Sequence, residues 1–289
     1  MSTSQELSRP AAPETPSAGA QSAHRQDAAG RRHRSVGVAI VLDVVLLATA
    51  LAAWQYAVNT GSISSLLYGS PKLIWQTVLR GIGSGSMIRD AGVTAVEALW
   101  GFAIGNVIGA AVGVGLWYSR LVEQMLRPVI AFLGATPIAA LAPIVVVWAG
   151  TGTSSKVVMS AASVVVTALV LAFDGARGTD PLQIRMLRSM GAPTRRIFRL
   201  LVLPSSVTNI CGGLRLTAGL ALIGAIIGEF ISSDSGLGHA ILIAGSLYDV
   251  PTVLANLIVV GLLSLALLSG VARLERAILR WRFLALSGA

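Results

Sequence analysis

Six stretches of this 289-residue chain are apolar and long enough to cross a lipid bilayer, and that restricts the fold before anything else does. A spanning helix needs about 20 mostly apolar residues, because its backbone N–H and C=O groups must be satisfied within the segment. The stretches run over 36–58, 91–117, 128–149, 156–173, 205–231 and 249–272. The expectation is an all-α polytopic membrane protein with about six transmembrane helices. Composition agrees: 54% of residues are hydrophobic and 12% are charged, where a soluble domain is about a quarter charged. A net charge of +9 then reads as arginine held at one membrane face, not as a nucleic-acid surface. With Cys211 as the one cysteine, no internal disulfide or Cys-based metal site is expected. His24, His33 and His239 have no metal-ligand spacing, and no catalytic constellation is legible. Neither an enzyme nor a cofactor protein is expected.

Residues 1–34 are rich in Ala, Pro, Ser and Gln without an apolar period and are expected to form a disordered tail, leaving 35–289 as the transmembrane domain. The tail ends in "RRHRS" before an apolar run too long, and too far from Met1, for a cleaved signal peptide. Between the first two runs, Leu73, Ile74, Val78 and Ile82 recur at helical spacing after Pro71. They predict a short amphipathic helix on the outer surface. With the N-terminus inside, seventeen Lys and Arg fall on the inner side against four outside (Lys72, Arg80, Arg89 and Lys156), which places both termini in the cytoplasm. Gly101, Gly105, Gly109 and Gly113 lie four apart in the second run, either as a tight packing face within one subunit or as a contact between subunits. Pro128, Pro137 and Pro143 in the third free backbone carbonyls that lipid does not satisfy, so this helix is expected inside the bundle or along a wet path.

One loop stands apart. "RSMGAPTRRIFRLLVLP" (188–204) carries Arg188, Arg195, Arg196 and Arg199, with Arg185 just before it. On a helix these five arginines fall within roughly 100° of one another. Gly191 and Pro193 interrupt that helix, Gly suiting the end of one segment and Pro the start of the next. A helix, a tight turn and a second helix are expected, and then Pro204 and the fifth span. By itself such an elbow also suits arginines that meet anionic headgroups. Asp43, Glu97, Arg215 and Glu229 lie in or at the ends of spans, which makes them candidates for a transport path or for structural pairs. Glu229 sits near the outer end of the fifth span, within reach of the interface. Arg215 lies deeper, as a cation for an anionic solute or as the partner of Glu97 or a backbone carbonyl.

The order Gly191, nine residues, Leu201, one residue, Leu203, Pro204 resembles the cytoplasmic loop signature of ABC importer permeases, which ends G-x9-I-x-L-P. "GARGTDP" (175–181) before it resembles the nitrate, sulfonate and taurine group, as do "GGLRLTAGLALIGAIIGEF", "SGLGHAI" and "LERAILRWR" after it. The resemblance covers roughly residues 65–285. It implies a type I ABC importer permease fold in a bacterial inner membrane and a coupling-helix loop at about 178–204. Partners implied are two ABC ATPase subunits, an extracytoplasmic solute-binding protein and a second permease copy. The solute implied is a sulfonate, taurine or nitrate, or else a pyrimidine-type vitamin precursor. Arg185, Met186 and Leu187 stand where the family has Glu-Ala-Ala, and Glu97 lies near a position often basic in the group. The chain has no G-x4-G-K-[ST] loop, and Lys72 and Lys156 are its only lysines, so ATP hydrolysis is expected on another chain. An ion-coupled secondary transporter using Asp43, Glu97 or Glu229 is the rival, and a non-transporting scaffold is a third reading.

Overall fold

The computed structural model describes residues 41–287, so the expected tail lies outside the described residues. Those residues are all-helical. Residues up to Ser62 form one unit, of which α1 (Val41–Asn59) is the described helix; its side chains are largely exposed, Asp43 among them. The second unit starts at Ile63 and holds the other helices. A short α2 (Ser65–Tyr68) leads to α3 (Pro71–Gly83), which Pro71 opens and Ser70 caps by accepting from Leu73 N at 3.2 Å. Ile74 and Val78 are its buried face, as the periodicity predicts, while Leu73 and Ile82 are exposed.

Three long helices form the core: α4 (Ser86–Gly115), α7 (Thr153–Arg177) and α10 (Leu203–Ile231). Gly101, Gly105, Gly109 and Gly113 of α4 all face α7. A Cβ at Gly105 would stand 2.7 Å from Val164 Cβ, and one at Gly109 2.7 Å from Ala168 Cβ. The four-residue period is therefore a packing seam within the subunit, with backbones close enough to exclude any side chain. α10 makes a second such seam against α7, in which Gly224 faces Met159 and Ser160 and Gly228 faces Lys156. Ser160 Oγ donates across it to Ala221 O at 2.9 Å.

The third apolar run departs from expectation. It is two helices, α5 (Arg120–Ala135) and α6 (Ile138–Ala149), bent by 97°. The break falls at Pro137, which has no N–H to continue the ladder and drives Thr136 to extended backbone (φ −76°, ψ 124°). Pro128 and Pro143 stay within their helices. Nor does the pair sit inside the described bundle: its buried residues are Glu123, Ala142 and Val145, while Val147 and Trp148 are each 80% exposed. With the bent pair counted as one, six segments among the described residues are long and apolar enough to span a membrane. The last, α12 (Val250–Ser287), follows a short α11 (Leu237–Ser246).

Candidate functional site

The arginine loop forms an elbow at one end of the core. Gly175 of "GARGTDP" lies where α7 meets the foot of α10, and a Cβ there would be 2.9 Å from Ser206 Cα. Thr179 Oγ1 donates to Ala176 O, and the Asp180 side chain accepts from Leu182 N at 2.8 Å to start α8 (Pro181–Ser189). The helix ends in a Schellman turn, with Gly191 N donating to Arg188 O and Ala192 N to Leu187 O, both at 3.0 Å. That turn requires the left-handed Gly191 (φ +79°). Pro193 then leads into α9 (Thr194–Ile197).

The second helix, α9, continues into α10 through a π turn at Phe198–Val202. Leu203 N donates to Phe198 O, five residues back. Pro204 lies just beyond, where its missing N–H would have left a regular helix one bond short. Ile197 and Val202 are the buried roots of the elbow. Phe198 rests against Tyr118 (4.5 Å between centroids) and Trp117 (5.7 Å), just past the C-terminal end of α4. Leu201 and Pro204 are half-buried and Leu203 is exposed. Arg185, Arg188, Arg195, Arg196 and Arg199 are all exposed, and none has an ion-pair partner among the described residues. The tip is thus a rigid cationic projection on an apolar root.

At the opposite end of the core lies a cluster only partly visible in sequence. Glu229 is fully buried and does not reach an interface. It accepts from Thr94 Oγ1 at 2.6 Å and from Gly238 N, so it caps α11 from across a turn. Thr94 Oγ1 in turn accepts from Leu237 N at 2.9 Å. Glu97 is 2% exposed and faces Glu229, and its Oε2 has no hydrogen-bond donor among the described residues. Lys156 lies within electrostatic range of both carboxyl groups. Sequence counting placed this lysine on the outer surface; it is 2% exposed, in the first turn of α7, and donates to Thr151 O and Gly152 O. Arg215 is not part of this cluster. Its Nε donates to Glu275 Oε2 of α12 at 2.9 Å, so the partner is Glu275 and not Glu97. Of the charges expected in the spans, the fold brings Glu97 and Glu229 together and pairs Arg215 with Glu275, while Asp43 is exposed on α1.

Residues 105–280 match the family model described as binding-protein-dependent transport system inner membrane component. A riboflavin transport system permease protein of Chloroflexus aurantiacus is 31% identical over 82% of this chain and 88% of its own length. A putative aliphatic sulfonates transport permease of Bacillus subtilis is 28% identical over 83% and 87%. A formylaminopyrimidine transport permease of Halalkalibacterium halodurans is 29% identical over 76% and 90%. In fold, the chain resembles the inward-facing MetNI methionine ABC transporter (TM-score 0.59, 18% identity, 67% of this chain and 96% of that one).

Proposed function

The chain belongs to the binding-protein-dependent transport system inner membrane component family, and from that membership we propose that its elbow is the docking surface for a separate ATP-hydrolysing subunit. It is a multi-pass ABC importer permease, a transport subunit and not an enzyme. The observation that carries the docking reading is the tip itself: a Schellman turn fixed by Gly191, exposed arginines without partners, and a buried root at Ile197 and Val202 continuous with α10. A push on such a tip reaches the most buried span without passing through a flexible loop. Two ATPases then act on two copies of the permease. A second copy is supported by the exposed proline-interrupted pair α5–α6, because Pro128 and Pro143 each leave a carbonyl one turn back without its backbone donor. Lipid does not satisfy such groups, whereas a partner subunit or a wet path does. With Lys156 buried, seventeen cationic side chains face three, which supports cytoplasmic termini.

A solute-binding protein delivers the solute. A sulfonate, taurine or nitrate is the first class to test and a pyrimidine-type vitamin precursor the second, in keeping with relatives named for aliphatic sulfonates, riboflavin and formylaminopyrimidine. Arg215, engaged by Glu275, gives no separate support to an anion. The buried Glu97–Glu229 pair is the feature an ion-coupled rival would use. Proteoliposomes holding the permease with its ATPase and binding protein separate the two. Uptake of one solute class should require ATP and persist with a protonophore. Uptake that needs no ATP and collapses with the protonophore would reject the reading.

A further inference from the structure

Beside the elbow, a cleft of about 520 Å³ opens between the start of α5, the end of α7 and α8. Four arginines line it, Arg120, Arg177, Arg185 and Arg188, against one carboxylate, Glu123. Glu123 is already engaged: its Oε1 accepts from Arg127 at 3.1 Å and its Oε2 from Arg177. Arg120, Arg185 and Arg188 therefore face the cleft without a counter-ion among the described residues. Trp117 and Tyr118 form another wall. Aromatic residues of this kind mark the headgroup level of a bilayer.

Glu123 and Arg127 also border a second, mostly apolar groove of about 180 Å³ between α5 and α7, lined by Ile130, Ala131, Leu169, Val170 and Phe173. The Arg177 guanidinium lies 5.4 Å from the centroid of the Phe173 ring, where cleft and groove meet. The α5 side chains flanking this region, Leu121 and Met125, are each 67% exposed.

A cationic chamber adjoining an apolar groove across Glu123 matches a molecule that is anionic at one end and aliphatic at the other. We infer that this cleft and groove form a binding site for an anionic phospholipid, the phosphate held by Arg120, Arg185 and Arg188 and an acyl chain lying between α5 and α7. A soluble anion would leave the groove empty, and a zwitterionic headgroup would leave the arginines uncompensated. Arg195 and Arg196, exposed at the tip, do not line the cleft and remain for the ATPase.

The test is photolabelling of the full-length permease in nanodiscs with phosphatidylglycerol carrying a diazirine in one acyl chain, beside the matching phosphatidylcholine. Phosphatidylglycerol should label α5 and α7 peptides around Ile130 and Val170 in clear excess. Arg120→Gln should lower that label roughly fivefold and Arg185→Gln/Arg188→Gln further, in line with the electrostatic contribution of each arginine near a membrane surface. Ile130→Trp should displace the label from the groove with the arginines intact. Co-purification of the ATPase should survive Arg120→Gln, which lies off the elbow. Equal labelling by the two lipids, or labelling indifferent to the arginines, would overturn the assignment. So would complete competition by soluble glycerol phosphate, which would mark a site for a free anion. Loss of the ATPase with unchanged lipid labelling in Arg120→Gln would mark a protein-docking face instead.

Discussion

Glu229→Ala should destabilise the bundle by about 3–5 kcal/mol, the cost typical of removing one partner from a buried charge cluster. Three losses coincide. Thr94 Oγ1 loses the acceptor it now uses, Gly238 N loses the carboxylate that caps the start of α11, and Lys156 is left in a buried site with one carboxylate fewer nearby. Glu229→Gln keeps a carbonyl oxygen of similar reach and should lose less. Thermal unfolding of the detergent-solubilised protein measures both. An alanine variant within about 1 kcal/mol of wild type would mean that water already solvates the cluster.

Gly109→Leu should be as damaging for a steric reason. A Cβ at that position already stands 2.7 Å from Ala168 Cβ and 2.9 Å from Leu169 N, so a larger side chain fits only if α4 and α7 separate. Overpacking of this kind costs about 3 kcal/mol or more when a backbone must move. Because the seam continues through Gly101, Gly105 and Gly113, separation at one point loosens the others. Gly92→Ala in the same helix meets open space and should be neutral or slightly stabilising. Comparison of the two variants in one unfolding assay separates the seam from general helix effects. A tolerated leucine would contradict the close approach of α4 to α7.

The apolar runs located the middles of the long helices, because a bilayer demands length and hydrophobicity whatever the packing, but not all their ends: α5 starts at Arg120, before the run at 128, and α12 reaches Ser287, past the run's end at 272. What they left open was pairing. The glycine period on α4 was legible as a close-approach face, but the facing helix, α7, follows from tertiary structure alone. Proline positions were equally visible. Yet Pro128 and Pro143 are accommodated within helices while Pro137 breaks one, a difference that depends on the path of the surrounding chain. Within the candidate site, Gly191 and Pro193 announced the elbow, since a left-handed turn and a helix start have local sequence signatures. Lys156 stood at the edge of a run, where a lysine ordinarily reaches water. Its burial rests on Glu97 and Glu229, which are distant in sequence. Glu123 gave no signal beyond one acidic residue in a helix's first turn, though it organises Arg127 and Arg177.

The most direct measurement is binding of the partner ATPase to the purified permease, wild type beside Gly191→Pro and Arg195→Glu/Arg196→Glu. Proline cannot adopt the positive φ of Gly191, so the first variant distorts the turn. The second reverses charge on exposed side chains and leaves the buried root intact. The expected result is a stable complex with wild type, and at least a tenfold weaker one (about 1.4 kcal/mol) with each variant, at unchanged thermal stability of the membrane domain. Equal binding by all three proteins would contradict a docking role for the elbow and leave its arginines as a positive-inside anchor.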